Sequence, residues 1–320
     1  MSNAAGAGAP RATTQPGGTG AVNPRKRHHR RANWAAVGFV TPLVIYLVVF
    51  YAYPLIQNFA LSLHRYDRAT FVSGGAPFVG LDIYREVIAQ PRFWRVVSQT
   101  ATFTLVSISV QYVIGLALAV FFQRNFRLSA TLRALFLVPW LLPVIVSGTT
   151  WQWMMNPDNG ALNTLVGWFG AEPIWWLSAH NSLRSVIIAN IWLGIPFNLV
   201  ILYSGLQNIP RTLYEAAAID GASGWRQFRS ITLPLLRPVT LITLLLGLVY
   251  TLKVVDIIWI MTTGTGTSQT LATWSYGLAF GKGTSGVIQY SEASAIGSIL
   301  LMVAVVFGFV YIAVQRRGEE

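Results

Sequence analysis

Apolar residues gather along the chain in six long runs, approximately Trp34–Tyr53, Val96–Phe122, Ala134–Met155, Ser185–Leu206, Val239–Met261 and Ala293–Val314. Each is long enough to cross a hydrocarbon core, which takes about 20 largely apolar residues. Lipid offers the backbone no hydrogen-bond partners, so every such run must be a helix. The pattern therefore predicts an all-α integral membrane protein with six transmembrane helices over residues 34–320. Residues 1–33 are rich in Gly, Ala, Pro and Thr and too poor in apolar groups to offset the entropy of ordering; a disordered basic tail is expected.

Composition agrees with a membrane body. Of the 320 residues, 53% are hydrophobic and 11% charged, against roughly 25% charged in a soluble domain. The net charge of +12 would suit either a nucleic-acid binder or a membrane protein with basic loops, and position decides between them. Arg11, Arg25, Lys26, Arg27, Arg30 and Arg31 precede the first span, and Arg124, Arg127 and Arg133 follow the second. Arg211, Arg226, Arg229 and Arg237 follow the fourth, and Arg316 and Arg317 follow the last. The opposite side carries fewer: Arg65, Arg68, Arg85, Arg92, Arg95, Arg184 and Lys282. By the positive-inside rule both termini are expected in the cytoplasm, and the charge needs no nucleic acid.

Catalytic chemistry is scarce. Cysteine is absent, which removes disulfides, thiolate metal sites and a Cys nucleophile. The histidines, His28, His29, His64 and His180, fall outside the spans without metal-ligand spacing, so no metal site is expected. No Gly-rich phosphate loop ending in Gly-Lys-Ser/Thr occurs. Asp256 is the sole acid within a span, where an enzyme would want a pair.

The loop 209–238 is the longest cytoplasmic connection between spans, yet it is not composed like a linker. Thr212 and Glu215 fit a capping box, predicting a short helix through Asp220 that Gly221 would stop. Ser223 could cap a second short helix over Trp225–Arg229, with Pro234 leading into the fifth span. The spacing Glu215-Ala216-Ala217, Gly221, Ile231, Leu233-Pro234 resembles the EAA loop of ATP-binding-cassette importer permeases. Further segments are similar to carbohydrate, maltose-type permeases: Phe78–Tyr84 with Phe93-Trp94 and Thr100, Asn190–Phe197, and Asp256–Thr262 with Thr270 and Ala279-Phe280. One departure is Gly264–Thr267, where members often have Gly-Gly-Pro.

The resemblance implies a type I importer permease in a bacterial inner membrane, moving a sugar such as a disaccharide. Glu215, Ala216, Ala217, Asp220 and Gly221 would then form a coupling helix that docks on a separate ATPase subunit. Implied partners are a second similar permease, two ATPase subunits and an extracytoplasmic sugar-binding protein. ATP and Mg would sit on the ATPases, leaving this chain without a cofactor or catalytic residue.

A sugar pathway needs amides, hydroxyls and aromatic rings within the spans. Asn190, Gly194 and Phe197 recur at helical spacing on one face beside Leu193, and Gly194 with Pro196 makes a bend plausible. In maltose-type permeases the matching positions contact sugar, which implies that role for Asn190, Leu193, Gly194 and Phe197. Amides and small residues also hold spans together without any ligand. Lys253 and Asp256, three residues apart, are expected on one face of the fifth span with Tyr250 one turn earlier. A lone charge at a membrane centre costs roughly 2.5–3.5 kcal/mol, so this pair is either a substrate contact or a salt bridge. The competing class is an ion- or proton-coupled secondary transporter using the same pair, which would leave the EAA spacing without a purpose.

Overall fold

The computed structural model describes residues 37–66, 68–124, 126–282 and 286–316; the expected tail, residues 1–33, lies outside them. In chain order the principal helices are α1 (Val37–Leu63), α2 (Asp82–Ala89), α3 (Phe93–Phe122), α4 (Ser129–Phe136), α5 (Val144–Met154) and α6 (Ala161–Trp168). They continue with α7 (Ser182–Gln207), α8 (Arg211–Ile219), α9 (Gly224–Leu252), α10 (Asp256–Thr262), α11 (Leu271–Ala279) and α12 (Tyr290–Arg316). Among the described residues there is no strand, only an isolated bridge between His64 and Phe78. The chain divides into two compact units, Met1–Leu55 and Ile56–Glu320.

Among the described residues five helices, α1, α3, α7, α9 and α12, are long and apolar enough to cross a membrane. The third expected span, 134–155, is not one helix. It is divided among α4, a single turn at Val138–Leu141 and α5, with Leu142 and Pro143 extended at ψ 141° and 134°. Pro143 lacks an N–H and pushes the residue before it out of helical geometry, which breaks the run where the sequence holds Leu142-Pro143.

Two other prolines are absorbed without a break. In α1 a π-turn over Val48–Ala52 ends two residues before Pro54, and in α9 a π-turn over Phe228–Thr232 ends two residues before Pro234. A proline ring clashes with the carbonyl four residues back, here Phe50 and Ser230, and the wider turn makes room at those carbonyls. The expected separate helix at Trp225–Arg229 is therefore the first part of α9, continuous with the fifth span.

In the second unit α3 is the spine. At its start Phe93 and Val96 pack with Ile83 and Val87 of α2, Trp274 of α11 and Ile296 of α12. Midway, Phe103 joins Val186 and Ile187 of α7 with Ile257, Ile258 and Met261 of α10. At its end Ala119 and Phe122 meet Leu199, Leu202 and Leu206 of α7 and Leu236 of α9. Lipid tails are as apolar as these side chains, so the helices associate through close packing and interhelical hydrogen bonds.

Candidate functional site

The α7 residues expected to read a sugar stand against α3. Asn190 is buried, and its backbone oxygen accepts a hydrogen bond from Gln111 Nε2 at 2.8 Å. One turn on, a Cβ added to Gly194 would collide with the same Gln111 amide. After a further turn, Asn198 Nδ2 donates to the Gly194 oxygen at 2.9 Å, and a Cβ at Gly115 would lie 2.5 Å from Asn198 Cβ. Gln111 is thus level with Gly194, and Gly115 with Asn198: the two helices run parallel, in contact through glycine on both sides.

The predicted face divides between neighbours. Leu193 packs beside the Phe103–Ile257 cluster, and Phe197 meets Trp140 edge-on, ring centroids 6.3 Å apart at 65°. The helix runs unbroken through Pro196. Asn190 Nδ2 has no hydrogen-bond partner, nor does Ser107 Oγ, one turn before Gln111 on α3. Gln111, Gly115 and Asn198 are partners the sequence reading passed over. The signal for them was present, since Thr104, Ser107 and Gln111 repeat at three and four residues within an apolar helix, making one polar stripe.

Lys253 and Asp256 do not share a helical face. α9 ends at Leu252 with Lys253 as its C-cap, Val254 and Val255 interrupt, and α10 restarts at Asp256. Two successive β-branched residues favour helix poorly, and α10 turns Ile257, Ile258 and Met261 onto a neighbour of its own. Both charges are exposed, and Tyr250 is exposed as well. Among the described residues the ion pairs are Arg65–Glu86 and Arg85–Asp82, so no bridge joins Lys253 to Asp256. Each charge has a local reason. A cation follows the carbonyl end of α9 and an anion opens the amide end of α10, the favourable sign in both cases.

α8 projects from the end of the bundle where α7 and α9 meet. Its N-cap is Pro210, with no side-chain cap, so Thr212 lies inside the helix and the expected capping box does not form. Pro210 presets the entry at φ −59°. At the other end Gly221 N–H donates to Ala218 O at 3.1 Å and Ala222 N–H to Ala217 O at 2.8 Å. Those two bonds make a Schellman stop, which needs the φ of +76° that Gly221 adopts. Ser223 caps α9 as expected, accepting from Arg226 N–H.

One side of α8 is tied down. Tyr214 Oη lies 2.9 Å from Thr232 Oγ1 and packs beside the Leu202–Leu236 cluster. The other side is open: Glu215, Ala216 and Asp220 are exposed, Ala217 is half-buried, and Ile219 is 88% exposed. Among the described residues no three His, Cys, Asp or Glu are placed to hold a metal.

Residues 111–318 match the family described as binding-protein-dependent transport system inner membrane component. The chain belongs to that family. It is thus an inner-membrane component of an ATP-binding-cassette importer, a transporter subunit rather than an enzyme. The match begins at Gln111 and takes in α7, α8 and α9. A trehalose/maltose transport system permease protein of Thermococcus litoralis is 36% identical over 88% of this chain and 93% of its own length. A trehalose transport system permease protein of Mycobacterium tuberculosis is 29% identical over 85% of this chain and 86% of its own. In structure, the chain resembles one from a bacterial ABC transporter importing the acidic polysaccharide alginate, with TM-score 0.76 and 21% identity over 92% of this chain and 99% of that one.

Proposed function

We propose that this family member is a membrane-spanning subunit for uptake of a sugar, a disaccharide of the trehalose or maltose kind, driven by ATP hydrolysed on separate subunits. The observation that carries the coupling half is α8, a helix held by Tyr214 on one side and exposing Glu215, Ala216 and Ile219 on the other. The relative at 36% identity across most of the chain supports the sugar half. The assembly contains two ATPase subunits, a second permease of this family and an extracytoplasmic binding protein that delivers the sugar. The end bearing α8 is cytoplasmic, supported by Arg124, Arg127, Arg133, Arg211, Arg226 and Arg229 around it.

In this reading ATP-driven closure of the ATPases pushes on Glu215–Gly221. The bundle then exchanges two states with different access, each favoured by a ligand at a distant site. Asn190 is the group on α7 with hydrogen-bonding capacity in reserve, and it is the α7 position left to read a sugar hydroxyl, since Gly194 is packed on Gln111 and Leu193 and Phe197 turn to other neighbours. Tyr250, Lys253 and Asp256, exposed at the α9–α10 break, form a second place for the solute to touch. The test is uptake of labelled trehalose and maltose by vesicles holding the reconstituted assembly. ATP-dependent accumulation that requires the binding protein is the expected result; accumulation driven by a proton or sodium gradient without ATP would overturn it.

A further inference from the structure

At the end of the bundle away from α8, the turn before α3, the segment after α10, α11 and the start of α12 line an open cavity of about 230 Å³. The cavity contains one carboxylate, and each of its oxygens already accepts a hydrogen bond from an amide. Gln289 Nε2 donates to Glu292 Oε1 at 3.1 Å and Gln90 Nε2 to Glu292 Oε2 at 3.4 Å.

The donors are in a different position. Arg92 gives Nε to Gln90 Oε1 at 3.0 Å and lays its guanidinium 4.5 Å over the Trp274 ring. Lys282 lines the same space, and among the described residues no carboxylate lies within ion-pair distance of either cation. The indole N–H of Trp274, a residue 2% exposed, has no acceptor. Burial lowers the Arg92 pKa, with Glu292 opposing that effect, but an arginine remains charged throughout the accessible range.

Two cations and an unpaired indole N–H against a single carboxylate, itself engaged by two amides, call for an acceptor from outside. We infer that this cavity is a carboxylate-binding site at the extracytoplasmic end of the chain, with Arg92 and Lys282 as its cationic contacts. The carboxylate comes either from an acidic side chain of the protein that docks on that face or from an acidic solute.

The test uses the full transporter in nanodiscs. In the solute arm, glucuronate is titrated by calorimetry with glucose as the uncharged control. Loss of one charge-assisted contact weakens binding about tenfold or more, so Lys282→Gln should show that loss against wild type. In the protein arm, the binding-protein concentration that half-stimulates ATP hydrolysis is compared between wild type and Lys282→Glu. A rise of about tenfold with unchanged thermal unfolding assigns the carboxylate to the docking protein. Lys282 is exposed, so the variants leave the packed Arg92–Trp274 contact intact. Glucuronate binding lost in the variant supports the site and assigns it to a solute. No glucuronate binding together with superimposed stimulation curves overturns it. The protein arm rests on the importer reading, whose own failure would show separately as absent wild-type uptake.

Discussion

The side-chain amide of Gln111 on α3 reaches the backbone oxygen of Asn190 on α7 at 2.8 Å and lies where a Cβ on Gly194 would stand. The contact leaves no room for a methyl group. Gly194→Ala should therefore destabilise the detergent-solubilised protein by about 1–3 kcal/mol, the usual cost of overpacking. Shortening the obstacle should relieve it, so Gln111→Ala combined with Gly194→Ala should cost less than the two changes summed. Thermal unfolding of the four proteins gives the comparison, and strict additivity would show that the two residues do not meet.

Gly221 makes a different demand, since a Cβ there meets nothing within 4 Å yet the backbone sits at φ +76°. Substitution is opposed by conformation alone, at roughly 1–2 kcal/mol for an ordinary side chain and less for Asn. Sugar uptake per ATP hydrolysed should fall in the order Gly, Asn, Ala, Val at this position, with membrane insertion unchanged. Uptake in Gly221→Val equal to wild type would remove α8 from the coupling path.

Because Lys253 and Asp256 end one helix and begin the next, their effects on stability should be independent. Asp256→Asn should cost about 0.3–1 kcal/mol through the amide end of α10, whether or not Lys253 is present. A double-mutant cycle with Lys253→Gln should return a coupling energy within about 0.5 kcal/mol of zero. If the pair touches solute, the same variants will raise the KM for uptake while leaving unfolding nearly untouched.

Outside the spans, Arg65 and Glu86 form a bidentate pair, with Nη2 2.5 Å from Oε1. The Arg65 hydrogen bond holds the Glu86 carboxyl below the usual carboxylate range; desolvation opposes it, and the Arg65 charge adds a smaller push in the same downward direction. A depressed folded-state pKa stabilises the fold above the ordinary value of about 4.3 and stops doing so as pH falls through the lower, folded value. Carboxyl-carbon NMR should place the Glu86 titration below that of a free glutamate. Arg65→Gln should return it toward about 4.3.

Legibility in the sequence varied with the kind of signal. Uninterrupted apolar runs announced α3, α7 and α12, because burial in lipid or protein needs little more than length. Gly221 announced the end of α8, since few residues tolerate its backbone. The start of α8 was misread: Thr212 and Glu215 have capping-box spacing, but Pro210 sets the entry and the helix begins before the Thr could cap it. Leu142-Pro143 was a readable break hidden by the hydropathy around it. The α9–α10 interruption was not readable, because Val254 and Val255 suit a membrane helix in composition, and only the packing of Ile257 and Ile258 explains why the chain turns there. Gln111 was readable only through its helical spacing from Thr104 and Ser107, a polar stripe that hydropathy averaged over the run conceals.

The glycine contacts between α3 and α7 also have a mechanical meaning. Gly115 and Gly194 each receive a side chain from the facing helix, so neither helix can slide along the other without withdrawing it. The pair is in effect a keyed strut, about 40 Å long at 1.5 Å per residue over the 26 residues of α7. Only Asn208, Ile209 and Pro210 separate that strut from α8, so under the proposed coupling a push on α8 is delivered directly to the end of the strut. The wide turn of α9 at Phe228–Thr232 and the unwound link at Val254-Val255, both irregularities of the backbone, lie on other elements than the keyed pair.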